Sequence, residues 1–242
     1  MEVLLLRFDA PLMSFGDVIV DHHNVTDRFP RLSLLTGLFG NALGYRHGDM
    51  EALTALQARI EFAARWEVEP VALVDYHTVD LGQRKMAGKG WTTWGVTEHR
   101  EGGPDAKLGT HIRYRHYWAN GVMAVAATLT GHAEPSVSTL AVALREPARP
   151  LFLGRKTCLP AAPLLQEVVE ARDVLAALQA MSSKTPLRPG ARRSASACWP
   201  VHLGAELPGR VVAIYDQRDW CNQIHTGRRL RREGILPDEE VV

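Results

Sequence analysis

The segment from Val79 to Tyr117 gathers side chains that can grip a nucleic acid. Arg84, Lys85, Lys89, Arg100, Lys107, Arg113 and Arg115 stand in it against Glu98, Glu101 and Asp105. Trp91, Trp94, Tyr114, Tyr117 and the adjoining Trp118 supply flat rings. Cations that meet phosphates release condensed counterions, and this drives sequence-independent binding. Aromatic faces stack on unpaired bases at about 1–3 kcal/mol per base, and a guanidinium can serve both purposes. A solvated loop whose tryptophans pack on the body would use the same composition, because long loops are either functional or disordered. Two tryptophans three positions apart in a glycine-rich basic stretch keep both readings open.

Three shorter segments carry further candidates. Arg28-Phe29-Pro30-Arg31-Leu32-Ser33 sets two guanidinium groups and a hydroxyl at a helix start. Free amides and the positive dipole end make such a start a natural phosphate site; two solvated arginines there are the plainer reading. Asp75-Tyr76-His77-Thr78 closes a strand. Tyr76 offers a stacking platform and His77 a general base, but catalysis needs a partner, and His116 or Lys85 would have to approach. Gly154-Arg155-Lys156 follows the apolar Leu151-Phe152-Leu153 and reads as a basic turn facing phosphate or solvent. Asp21-His22-His23 invites a metal. Adjacent ligands on a loop seldom converge on one ion, and no second cluster has ligand spacing, so neither metal nor cofactor is expected. The chain has no GxSxG, Walker or GxGxxG motif.

The elements that must position these groups can be read from periodicity. Val3–Phe8 is an apolar central strand stopped at Asp9-Ala10-Pro11. Ser33 starts and caps a helix with Leu34, Leu35, Leu38, Phe39, Ala42 and Leu43 on one face. Gly37 and Gly40 in that helix predict close backbone packing, and Gly44 its end. Asp49 caps a second helix, 60–67 and 70–76 read as a strand pair broken at Pro70, and Tyr117–Thr130 returns to a strand. A helix follows Pro135, a last core strand is expected near 150–158, and Leu164–Met181 reads as an amphipathic helix. Val211–Tyr215 is a late strand before a charged tail holding Arg228, Arg229, Arg231 and Arg232. The order is compatible with an α+β fold, a ferredoxin-like βαββαβ core, and RNA-recognition folds of this class expose one sheet face to RNA. The segment 79–117 is a long insertion in that core. With 46% apolar residues the chain can build a core, and its net charge of +1 argues against a generic polyanion binder. Cys158, Cys198 and Cys221 form no CxxC pair and read as reduced thiols of a cytoplasmic protein. The N-terminal apolar run is too short for a signal peptide or membrane span.

In order and spacing these segments resemble the CasD family, the fifth Cas family, subunits of the type I-E CRISPR complex called Cascade. The resemblance rests on Leu5-Leu6-Arg7-Phe8, Pro11, Phe15-Gly16, Arg28-Phe29-Pro30, Ser33, and Gly37, Gly40 and Leu43-Gly44. It continues through Asp75-Tyr76-His77-Thr78-Val79 and Leu153-Gly154-Arg155-Lys156 with Cys158. It implies a ferredoxin-like (RRM/RAMP-type) RNA-binding body over residues 1–150 with an inserted β-hairpin thumb at 79–117, and a small C-terminal β lobe with a charged tail over 151–242. It implies an RNA-binding subunit without catalytic residues that caps the 5′ handle of CRISPR RNA. It further implies contacts with a CasC-type backbone subunit and a CasA-type large subunit, and target DNA met through the assembled complex. Related type I-C proteins are endoribonucleases, so metal-independent cleavage of precursor RNA is the alternative. The residue reading and the resemblance together assign RNA contact to Arg28, Arg31, Ser33, Tyr76, His77, Arg84, Lys85, Lys89, Trp91, Trp94, Arg113, Arg115, Arg155 and Lys156. Two positions depart from the family. Asp17 replaces a frequent Gln after Phe15-Gly16, and Arg31 replaces the Thr after Arg28-Phe29-Pro30.

Overall fold

The computed structural model describes residues 1–19, 21–80, 90–91, 97–98, 110–181, 187 and 189–236. Strand β1 (Glu2–Asp9) is followed by the short β2 (Leu12–Met13) and β3 (His23–Asn24), then by helices α1 (Leu32–Leu43) and α2 (Met50–Arg59). Strands β4 (Ile60–Val68), β5 (Val71–Asp80), β6 (Gly90–Trp91), β7 (Thr97–Glu98), β8 (Thr110–Ala119) and β9 (Val122–Leu129) lead to helix α3 (Val137–Arg145). Then come β10 (Leu165–Glu170), α4 (Val174–Ala180), β11 (Ser196–Pro200), β12 (Gly209–Asp219) and β13 (Ile224–Ile235).

One seven-stranded sheet runs β10-β1-β9-β4-β11-β13-β12. Its first four strands have the ferredoxin-like order, with β1 and β9 central and antiparallel. Side chains alternate across a strand, and both faces of β1 are covered. Leu4, Leu6 and Phe8 join Met123, Val125 and Ala127 beneath α1 and α3. Val3 and Leu5 join Ala124 and Ala126 against Val174, Leu175 and Leu178 of α4. Burying one such aliphatic side chain is worth about 1.5–3 kcal/mol. Among the described residues no helix is long and apolar enough to cross a membrane.

Several expectations change. The fourth core strand is β10 rather than 150–158, where the chain turns without strand pairing. The helix expected over Leu164–Met181 is instead β10, a break, and α4. The β-branched Val168 and Val169 pair with β1, and the Asp173 carboxylate accepts from the Ala176 amide at 2.8 Å to start α4. β4 and β5 are not paired: β4 joins β9, and β5 joins β8 in a second sheet. The tail arginines lie in β13, whose antiparallel partner is β12. The N-cap of α1 is Arg31 rather than Ser33. Gly44 ends the helix in the left-handed conformation, as expected, at φ 85°. Gly40 meets α2 so closely that an added Cβ would lie 2.8 Å from Leu53 Cδ2.

Candidate nucleic-acid interface

The hairpin begins earlier than the sequence suggests. β5 and β8 stay in register from Val71↔Ala119 to Asp80↔Thr110, so its base lies at Val71. Cross-strand partners share a face. One face therefore carries Tyr76 opposite Tyr114, the other Asp75 opposite Arg115 and His77 opposite Arg113.

On the first face Tyr76 is 54% exposed and its ring lies 5.4 Å from that of Tyr114. His23 of β3 stacks on Tyr114 at 4.6 Å, and its Nδ1 lies 3.1 Å from Nε2 of His116. Burial, then His23 and Arg155, hold the His116 imidazole below its usual pKa, which favours its neutral form. Aromatic rings with one open end form a stacking surface. On the second face the His77 imidazole meets the Asp75 carboxylate, and Arg113 donates to the Asp21 carbonyl at 3.0 Å. The spacing of Asp75 and His77 signals this pair, because positions i and i+2 of a strand share a face; the partners weighed above, His116 and Lys85, pass it over. Arg84, Lys85, Lys89 and Trp94 lie outside the described residues, while Trp91 lies in β6 opposite Thr97 of β7.

The hairpin base adjoins an open groove of about 730 Å³, lined by the 14–17 turn, α1, the 152–156 turn and the loop between β12 and β13. Lys156 and Arg46 line it and are exposed. Arg155 also lines it, but its guanidinium is largely committed. It sits 4.5 Å over the Tyr117 ring and donates to the carbonyls of His116 at 3.2 Å and Asn24 at 2.9 Å. It therefore ties the basic turn to the hairpin. Ser33 lines the groove with its Oγ 3.1 Å from His225 Nε2.

The start of α1 differs from the expected phosphate site. Arg28 lies over Trp66 and Trp118, 5.4 and 5.3 Å from their ring centres, and pairs with Glu69. Arg31 is buried; it pairs with Asp17, lies 3.4 Å from Asp27 and donates to the Tyr215 carbonyl. The first amide of the helix, Leu32 N, donates at 2.9 Å to the buried Asp216 carboxylate of β12. Carboxylates of the chain thus take the places that a phosphate would take around Arg28, Arg31 and the helix end. Reading the C-terminal arginines as part of a charged tail hid Asp216 and, on the same hairpin, Arg218, Trp220 and His225, all three of which line the groove.

The family described as CRISPR-associated protein (Cas_Cas5) matches residues 3–232. The chain is similar to the CRISPR system Cascade subunit CasD of Escherichia coli (strain K12). The two are 32% identical over 183 residues, covering 72% of this chain and 75% of that protein. A solved CRISPR RNA-guided surveillance complex has a chain that matches with a TM-score of 0.66 at 23% identity, over 98% of this chain and 90% of that one. A crystal structure of a Cas protein matches with a TM-score of 0.63 at 23% identity, over 99% and 97%. At this identity the two structural likenesses speak for the fold, the α+β ferredoxin-like body.

Proposed function

The chain belongs to the Cas5 family of CRISPR-associated proteins, and on that premise we propose that it is a noncatalytic RNA-binding subunit of a Cascade-type complex. It caps the 5′ handle of CRISPR RNA and meets target DNA through the assembled complex, beside CasC-type and CasA-type neighbours in the cytoplasm. The observation that carries this reading is the Tyr76–Tyr114 ring pair, with Tyr76 exposed, on a hairpin whose other face bears Arg113 and Arg115. Unpaired bases stack on the rings, and cations of the hairpin and Lys156 take the phosphates. The relative named as a Cascade subunit supports membership of such a complex. Tyr76→Ala with Tyr114→Ala should weaken binding of CRISPR repeat RNA roughly 5- to 150-fold, the loss of one stacked base. Changing Trp91, Trp94, Arg113 and Arg115 together to alanine should block assembly of the reconstituted complex. Unaltered RNA binding and assembly in both variants would overturn the reading.

A second reading is favoured by the Asp75–His77 contact on the face that carries Arg113 and Arg115. A carboxylate orients the imidazole as base for an attacking 2′-hydroxyl, and the guanidinium groups stabilise the phosphorane. Purified chain incubated with repeat RNA in EDTA is expected to leave the RNA intact. Specific cleavage that disappears in His77→Ala would establish the endoribonuclease in its place.

A further inference from the structure

The loop joining β12 to β13 is built more firmly than a connection requires. The Asp219 carboxylate accepts from the amides of Cys221 at 2.9 Å and Asn222 at 3.0 Å, and from Asn222 Nδ2 at 2.7 Å. Gln223 donates to the Trp220 carbonyl and accepts from the Arg218 guanidinium at 2.6 Å. From α2, the buried Gln57 clamps the Arg218 backbone, accepting from its amide at 3.1 Å and donating to its carbonyl at 3.0 Å. A side chain anchored through its own main chain is preorganised for a ligand.

Two donor atoms that this loop holds in place lack partners among the described residues. Trp220 is 5% exposed and lines the groove, yet its Nε1 donor has no acceptor among the described residues. The same is true of Arg218 Nε, and Arg218 lies 5.3 Å over the Trp220 ring. A buried donor left unmade is costly, and such a group in a native fold calls for an explanation. Burial lowers the Arg218 pKa. Beside these donors stand the Ser33 hydroxyl and His225. The His225 pKa is lowered first by burial, then by Arg218 and Arg31, with Asp216 opposing them. Donors thus gather on this wall, and among the described residues no acceptor meets Trp220 Nε1 or Arg218 Nε; Asp17, which also lines the groove, pairs with Arg31.

We propose that Arg218, Trp220 and Ser33 form a phosphodiester site in this groove, seating one backbone phosphate of the bound RNA against α1. The site rests on the RNA-binding reading above and adds a contact remote in sequence from the hairpin. The bound phosphate accepts from the Arg218 guanidinium and, on a shift of the Trp220 ring that opens its buried Nε1 to the groove, from that donor, and Ser33 turns its hydroxyl from His225 toward it. Gly37 leaves room alongside, since a Cβ there would meet nothing within 4 Å.

The experiment is a titration of the purified chain with single-stranded CRISPR repeat RNA across a range of salt concentrations. Arg218→Gln should reduce the slope of log K against log[salt] by about 0.7, the value for one phosphate on a single strand. It should weaken binding roughly tenfold. Trp220→Phe keeps the ring and removes the donor; it should weaken binding about threefold and leave the slope unchanged. Arg145→Gln, an exposed cation on α3, should match the wild type. Repeat RNAs with a single methylphosphonate should identify one position whose neutralisation weakens the wild type but not Arg218→Gln. A wild-type slope and affinity in both Arg218→Gln and Trp220→Phe would remove this site and leave the RNA-binding reading standing. Failure of the wild type to bind the RNA would remove both.

Discussion

Asp216→Ala is expected to lower the stability of the chain by roughly 3–5 kcal/mol, the usual cost of breaking a buried ion pair from one side. Asp216 is fully buried on β12 and pairs with Arg229 at 2.6 Å while it accepts from Leu32 N at 2.9 Å. Its loss would leave a guanidinium without its carboxylate and the first amide of α1 without an acceptor. In a chain of this size the change corresponds to a fall in melting temperature of about 10 °C, readable by thermal unfolding. Asp216→Asn keeps an acceptor for the amide and should cost less. A melting temperature within about 2 °C of wild type in Asp216→Ala would show that the C-terminal hairpin does not hold α1.

The same residues give the chain an acid limit. Burial raises the pKa of Asp216, but Arg229, the Leu32 amide and Arg231 outweigh it and hold the carboxyl below its ordinary value. Glu233 is lowered likewise, with Arg210 and Arg231 outweighing burial. A carboxylate with a lowered folded pKa contributes stability that is complete above its unfolded pKa and is lost as pH falls through the folded one. Stability should therefore hold from neutral pH down to about 5 and decline below about 4.5. In Asp216→Ala that decline should be shallower, because one of the carboxylates with a lowered pKa is gone.

Much of the ferredoxin-like body was legible because its signals are local. The unbroken apolar run of β1 and the alternation in β9 mark strands buried on both faces, and Gly44 marks a helix end. Residues 164–181 misled because Leu164, Leu165, Val168 and Val169 sit at spacings that suit a helix as well as an edge strand. Pairing with β1 decides between them. The charges at the start of α1 were visible, but their partners were not. Leu32 and Asp216 are 184 positions apart, and nothing local joins them. Asp17 and Arg31 are instructive here. Each departs from the family pattern, and the structure pairs them with each other. The carboxylate and the added cation are two halves of one contact.

Gly154→Ala should combine a stability loss with a functional one. Gly154 has φ +101°, and an added Cβ would lie 1.6 Å from the backbone oxygen of Ser14. Positive φ costs a residue with a side chain about 1–2 kcal/mol, and forced repacking about 1–3 kcal/mol more. The backbone cannot yield as a flexible side chain would, because Ser14 N donates to the Leu153 carbonyl at 3.1 Å. The basic turn must therefore withdraw from the 14–17 segment. That withdrawal carries Arg155 off the Tyr117 ring and off the carbonyls of His116 and Asn24, which loosens the hairpin base and displaces Lys156 from the groove. The expected result is a melting temperature lower by about 6–10 °C together with RNA affinity reduced about tenfold or more. Gly37→Ala is the matched control. Its Cβ would meet nothing within 4 Å and its place is inside α1, where alanine gains up to about 1 kcal/mol over glycine, so its melting temperature should equal or exceed wild type. If Gly154→Ala melts with the wild type and binds RNA as tightly, the turn is not locked by Ser14 and Arg155 does not transmit its position to the hairpin.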